Sequence, residues 1–386
     1  MSEPAAAEIG ETEKRVSWAE LFFDLVFVFA VTEVSAMLHN DHSWTGALRA
    51  LIVVVPIYWT WVGTSIQANL RDLGRPLLRL GVFGVALAGM FMALSVSGAY
   101  GGRAVIFALS YWGARLLLGL LLFGGSRWAL INPFLVSMVL TGPLLVLGAL
   151  LPSPVREAVW ASAALIDLST PTVLRGRMRG IHFHAPHLAE RFGLFVLIAI
   201  GESVVAIGAS VQSRGRLDVP TGLAVGAAFA VSCGLWWVYF QFAADAVRHA
   251  LATAQVQLDI ARLVLSYGHL AFIGAIIAVG VGLRDAVAEP GQSLSWSVVG
   301  LLFGGAALFL ATFGYTRWTM FRLVSWTRLS AAVAVSLLAV VAPLVPSLAA
   351  LLLLAAALAA LNVVEYRLRD ILDWRTALRR RMAKRR

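Results

Sequence analysis

Apolar runs of about 20 residues follow one another from Trp18 to Tyr366, and no stretch between them is long enough to build a separate core. Hydrocarbon about 30 Å thick is crossed once by about 20 helical residues. Hydropathy places spans at about 18–39, 46–67, 77–98, 104–124, 131–151 and 155–174, then at about 191–212, 219–243, 262–283, 295–316, 328–345 and 347–366. The expected fold is all-α: a polytopic membrane protein of about twelve transmembrane helices. The sixth run is the weakest, carrying Asp167 and Pro171. The last two are parted only by Pro343 and Pro346, which predicts a hairpin, because the joined segment is too long for one span. Only 13% of the residues are charged and 60% are hydrophobic, whereas soluble domains are about a quarter charged.

The net charge of +10 is not laid out for nucleic acid, because the arginines sit between apolar runs and in the tail. Lys14, Arg15, Arg71, Arg75, Arg79, Arg127, Arg175, Arg177, Arg179, Arg191, Arg248, Arg262, Arg317, Arg322, Arg328 and the tail from Arg367 fall on one side of the alternating spans. The other side has Arg49, Arg103, Arg156, Arg214, Arg216 and Arg284. This asymmetry predicts that the first side, with both termini, is cytoplasmic, and it supports an even number of spans. The basic tail is attracted to anionic lipid without needing a protein partner. The acidic N-terminus lacks the basic n-region of a signal peptide, so no cleavage is expected. The single Cys233 excludes an intramolecular disulfide and a Cys-based metal cluster.

The two halves resemble each other. Ala19-Glu20-x-Phe22, Val26 and Glu33 are echoed by Ala189-Glu190-x-Phe192, Val196 and Glu202. Tyr58-Trp-Thr-Trp61 is echoed by Trp236-Trp-Val-Tyr239, and Arg79-Leu80 by Arg262-Leu263. The expected organisation is a cytoplasmic segment 1–17, six-helix repeats 18–180 and 181–366, and a basic cytoplasmic tail 367–386. Six is even, so the repeats would be parallel, related by an axis along the membrane normal.

Charges within the spans are the informative residues, since each costs on the order of 3 kcal/mol at the centre of the bilayer. Helix rise places Asp24 roughly 9 Å inside the cytoplasmic edge, Glu33 nearer the outer leaflet, and Glu202 and Arg115 near the middle. Arg115 is the one basic side chain at that depth and is expected to fork onto Glu202 or Glu33. His269 falls near the level of Asp24. Asp24 and Glu33 are nine positions apart and project from nearly opposite faces, so one of them faces a pore and the other a neighbouring helix.

Other patterns carry less. His182-Phe-His184-Ala-Pro-His187 reads as a wet loop in which Pro186 breaks any helical register, and His39, Asp41 and His42 form a similar cluster on the other side. No metal and no cofactor is expected. Ser203 and Ser210 face no completed triad: Ser210 and His269 are offset by about 18 Å in depth, so the chain is not expected to be an enzyme. Gly222-x-x-x-Gly226 and Gly300-x-x-x-Gly304 predict close helix contacts, while Trp18, Trp44, Trp128, Trp318 and Trp326 mark membrane interfaces.

The stretch Glu20-Leu-Phe22-Phe23-Asp24 resembles the opening of the bacterial low temperature requirement A family. Asn69-x-x-Asp72, Tyr111-x-x-x-Arg115 and Glu190-Arg191-Phe-Gly through Gly201-Glu202 are similar to it as well, and the resemblance runs over about residues 15 to 370. It implies a multi-pass protein of the bacterial inner membrane and no known molecular activity. Phe22-Phe23-Asp24 is also similar to the Phe-Ser-Asp of lysosomal and bacterial potassium channels, but lacks the Ser, and Gly193 stands where a second Asp would be. The functional expectation is a transporter or channel-like protein for a small ion or solute, proton-coupled through Asp24, Glu33 and Glu202 with Arg115 and His269 on the path. The competing expectation is a structural or stress-adaptation membrane protein whose buried charges lock helices together. The bilayer is the expected partner, nucleic acid is not, and a homo-oligomer is left open.

Overall fold

The computed structural model of the chain describes residues 14–71, 74–123, 132–214, 217–241 and 243–383. The helices are α1 Trp18–Asn40, α2 Trp44–Leu70, α3 Pro76–Ser95, α4 Ala104–Phe123, α5 Pro133–Ala149, α6 Val155–Val173, α7 Ala185–Arg214, α8 Val219–Phe240, α9 Ala243–Thr253, α10 Gln257–Ala288, α11 Trp296–Phe321, α12 Trp326–Val341 and α13 Ser347–Ala383. Among the described residues there is no strand, and nine helical stretches are long and apolar enough to cross a membrane. Apolar segments of α4 and α5 are shorter, and α6 is 19 residues long and less apolar.

Short polar residues start these helices, as orphan N–H groups require. Ser17 and Glu20 form a reciprocal capping box at α1, with the Ser17 N–H on Glu20 Oε2 at 2.8 Å. Ser43, Asn132, Asp218 and Ser295 cap α2, α5, α8 and α11. At the other end of α2, Lys14 Nζ donates to the carbonyls of Asn69 and Arg71 at 2.9 and 2.6 Å. Such a cation also complements the helix dipole.

Two boundaries depart from expectation, and one holds. α7 begins at Ala185, with Pro186 in its first turn, where a missing N–H costs nothing. Pro186 therefore opens the helix instead of breaking its register. α13 continues to Ala383, so most of the expected tail is helical. The proline hairpin does form: α12 ends at Val341 and α13 starts at Ser347, whose Oγ donates to the carbonyls of Ala286 and Glu289 at 2.9 and 2.6 Å.

One continuous apolar core runs through both halves, from Phe23 to Leu361. α10 lies at its centre, packed on α7 and α11. Among the described residues the helix widens to i→i+5 bonding in three places: Ser137–Thr141 in α5, Ala261–Gly268 in α10 and Gly300–Gly304 in α11. Such wide turns leave carbonyls free for other donors. Tyr58 takes two of them, its hydroxyl donating to Leu265 and Ser266 at 3.0 and 2.9 Å.

The expected glycine contacts occur elsewhere. No atom lies within 4 Å of a Cβ built on Gly222, Gly226, Gly300 or Gly304. A Cβ on Gly282 would sit 2.9 Å from the backbone nitrogen of Leu302, which cannot rotate away. Trp18, Trp44, Trp318 and Trp326 are exposed, as interface residues should be, and Trp128 lies outside the described residues. Gly282→Leu is expected to force α10 from α11 and to lower stability by about 1–3 kcal/mol, read as an earlier thermal transition of the purified chain in detergent. A Gly222→Leu control should leave the transition in place.

Candidate functional site

Three helices meet at a buried ladder of charge. Glu20 and Asp24 are one turn apart on α1, and His187 and Arg191 are one turn apart on α7, so the four side chains face each other in two rungs. Arg191 Nη1 donates to Asp24 Oδ2 at 2.7 Å, and His187 Nε2 lies 3.1 Å from Glu20 Oε1. All four are at most 2% exposed. α2 closes the third side through Trp61, Ser65 and Asn69, each four residues after the last. Trp61 Nε1 donates to Asp24 Oδ1 at 2.8 Å, and Ser65 Oγ accepts from Arg191 Nη2 at 3.2 Å. Asn69 accepts the His184 N–H at 3.0 Å and donates its amide to the His184 carbonyl and to His187 Nδ1 at 2.9 and 3.0 Å. His187 Nδ1 therefore accepts, which puts the proton of the neutral ring on Nε2, facing Glu20.

The second feature is a cavity of about 480 Å³ walled by α2 to α6 and α10, at the end of the bundle where the α2–α3 and α6–α7 connections lie. Val62, Phe134, Met178 and Phe183 supply apolar surface. Arg115, Gln67 and Arg262 are buried polar residues of the lining, which also includes the more exposed Arg71, Arg75 and His182. Among the described residues no Asp or Glu lines it. Arg115 is 2% exposed and Gln67 5%. Arg115 Nε and Nη2, both amide atoms of Gln67, and Arg262 Nε are buried without a hydrogen-bond partner. Arg262 is otherwise held by Thr172 at 2.9 Å and Asp259 at 3.0 Å.

Behind Arg115 stands a cage of hydroxyls. Its guanidinium lies 4.9 Å from the centre of the Tyr111 ring, and the Tyr111 hydroxyl donates to Asp167. Asp167 also accepts from Ser137 Oγ at 2.7 Å and Thr141 Oγ1 at 2.9 Å, two residues of the widened turn in α5. No salt bridge joins Arg115 to Asp167.

The expected pairing of Arg115 with Glu202 or Glu33 does not form. Glu202 is 3% exposed and accepts from Ser35 Oγ at 3.2 Å, between α1 and α7. Glu33 is half-buried on a face of α1 that Asp24 does not share. His269 is fully engaged: Nδ1 donates to the Val264 carbonyl at 2.9 Å, which leaves Nε2 to accept from the Tyr239 hydroxyl at 2.7 Å. Of Asp24, Glu33, Glu202, Arg115 and His269, only Arg115 lines the cavity. Phe23 is buried, Phe22 is exposed against Phe83, Glu190 and Gly201 are exposed, and Asp72 lies outside the described residues. Arg191, counted in sequence with the interfacial arginines, is wholly buried, and so is His187, expected in a wet loop. Their spacing was the missed signal: each matches the one-turn spacing of Glu20 and Asp24.

At the opposite end, His39 Nδ1 and His42 Nε2 lie 2.8 and 3.1 Å from the two oxygens of Asp285. The acid that joins the two histidines is therefore on α10. Asp41 instead turns onto the α2 cap, where hydrogen bonds from Ser43 hold its carboxyl below the ordinary carboxylate range.

This is an α-helical membrane protein with a charge-paired polar ladder beside a basic cavity that no described acid lines. Residues 15–364 match the family described as bacterial low temperature requirement A protein (LtrA), and the chain belongs to that family. A protein of Rhizobium meliloti (strain 1021), described as uncharacterized, is 31% identical over 316 residues, covering 78% of this chain and 76% of its own. No solved structure matches. Asp24→Asn and Arg191→Gln are each expected to cost about 3 kcal/mol, because each strands a buried charge. The double variant should cost well under the sum, in a denaturation cycle of the full chain in micelles. Strictly additive losses would show that the ladder is not a coupled unit.

Proposed function

We propose that this chain is a multi-pass carrier for a small solute in the bacterial cytoplasmic membrane, with the Arg115 cavity as its binding site. The observation that carries the reading is the contrast between the two polar regions. Arg191 meets an opposite charge in direct contact, Asp24 at 2.7 Å, whereas among the described residues Arg115 meets none, and it and Gln67 keep buried polar atoms without a hydrogen-bond partner. Leaving such atoms unpartnered in a cavity of small-molecule size is expensive unless something else visits them. Two of the three widened turns flank this cavity, and such turns are frequent at functional sites.

In this reading α1 to α6, α7, α8 and α10 to α13 are twelve spans. The two six-helix halves form parallel repeats, 18–180 and 181–366, that have diverged: Glu20 is buried where Glu190 is exposed. The arginine asymmetry sets the cavity's open end, with both termini, in the cytoplasm. Proton coupling would run through acids without a cationic partner in contact, Asp167 and Glu202, with Glu33 toward the other leaflet. Asp24 then belongs to the framework. The structural reading retains that ladder as its own support, and the chain uses both principles in different places.

In proteoliposomes, Arg115→Gln and Gln67→Leu are expected to cut solute flux at least about tenfold, with Glu202→Gln altering its pH dependence. Flux no different from protein-free vesicles, across a broad panel of ions and solutes, would sink the carrier reading. Orientation is read separately: His182→Cys in a Cys233→Ser background should react with an impermeant thiol reagent from the cytoplasmic face alone.

A further inference from the structure

Resting on that reading of the cavity, we infer that its ligand is a small anion bearing a carboxylate or phosphate-class oxyanion, seated on Arg115 and Gln67. An arginine side chain carries a positive charge, and Arg115 brings one to the cavity wall at 2% exposure. Tyr111 covers one face of that guanidinium and leaves the edge, with Nε and Nη2, unpartnered. Adjacent guanidinium N–H groups are the fork that receives two oxygens of a carboxylate or phosphate. A Cβ on Gly63 would come within 3.0 Å of Arg115 Nη1, so the glycine lets α2 lie against the guanidinium. One turn further along α2, Gln67 adds an unpartnered amide donor on the same wall. Arg262, itself paired with Asp259 at 3.0 Å, lies further out on the same lining, and no described acid lines the cavity. A bare cation would meet the guanidinium of Arg115 with no acid in the lining to offset it.

The rest of the lining fits a ligand with an apolar part. Val62, Phe134 and Phe183 surround the polar wall, and about 480 Å³ admits a small molecule and not a polymer. The oxyanion could belong to a free solute or to the headgroup of an anionic lipid, and these are separable in solution.

The test uses the full chain in nanodiscs of phosphatidylcholine, with and without phosphatidylglycerol. Thermal unfolding is followed against sodium phosphate, sodium acetate and sodium benzoate, with sodium chloride at matched ionic strength. A saturable rise in Tm with a soluble oxyanion in pure phosphatidylcholine identifies a free solute. A rise that needs phosphatidylglycerol identifies a headgroup. Either supports the inference, provided Arg115→Gln weakens the apparent affinity at least about tenfold, as loss of a charged hydrogen-bonded contact should. Ligand-free Arg115→Gln should unfold no earlier than wild type, since it removes an unpartnered buried charge. Arg115→Lys should keep part of the response, and Gln67→Leu should weaken it. The inference falls if no probe or lipid shifts Tm, or if the shift survives Arg115→Gln unchanged. It also falls if ligand-free Arg115→Gln and Gln67→Leu both unfold early, which would make the pair structural. Anion binding without flux would overturn the carrier reading alone; cation flux untouched by Arg115→Gln would overturn this inference alone.

Discussion

Hydrocarbon offers a charge no solvent, so each ionised group inside the bundle has to be answered by the protein itself. At the α1–α2–α7 contact that answer is a set of opposite charges in contact. Asp24 receives Arg191 and Trp61, while Glu20 receives His187 and the Ser17 cap. Arg191 and Asp24 are 167 residues apart, so the pair joins the first helix to the seventh and fixes how the two halves of the chain meet. Breaking one partner leaves a buried charge with nowhere to go, which makes the junction an all-or-none unit. The Tyr58 bonds to the widened turn of α10 extend that junction across the bundle.

α2 separates the two kinds of polar environment. Trp61, Ser65 and Asn69 recur every fourth residue along one stripe, and all are engaged by the ladder. Gly63 and Gln67 follow the same spacing displaced by two residues, about 200° around the helix, and they face the cavity. One helix therefore presents a saturated surface and an unsaturated one on opposite sides. The saturated side gives the helix a fixed position, and this holds the cavity wall still against Arg115. The wider turns of α5 and α10 also line the cavity, through Ser137 and through Ala261, Arg262 and Ser266.

Much of this was legible in the residues, because hydropathy is a one-dimensional signal. The runs from Trp18 to Tyr366 reappear as helices in the expected order, and the proline pair between α12 and α13 does turn the chain. Glu20, Asp24, Asn69, Tyr111 and Arg115 all carry structure-defining contacts. What a run of letters does not show is which distant group answers a charge. Arg191 looked interfacial because α7 was expected to begin at 191; with the helix starting at Ala185, the same arginine lies almost two turns inside. Arg115 was matched with the acids nearest its depth, but depth does not give azimuth, and Glu202 faces α1 instead. Gln67 and Asp167 drew little notice because a single polar residue in an apolar run reads as background until its neighbours are known.

The arrangement around Tyr111 explains how an arginine can stay buried and still be available. Its ring lies over the guanidinium at 4.9 Å, and its hydroxyl is given to Asp167, so cation and anion share one side chain without touching. Asp167 is satisfied by the hydroxyls of Ser137 and Thr141 as well, and has no need to draw Arg115 toward it. A direct salt bridge would consume the edge of the guanidinium and close the site. Stacking on the ring stabilises the charge through its face and leaves the hydrogen-bonding edge unused. Lysine in that position would lack the flat face that makes this division possible. The Tyr111-x-x-x-Arg115 spacing is thus a physical requirement: one helical turn places the ring beneath the guanidinium, and the open edge follows from it.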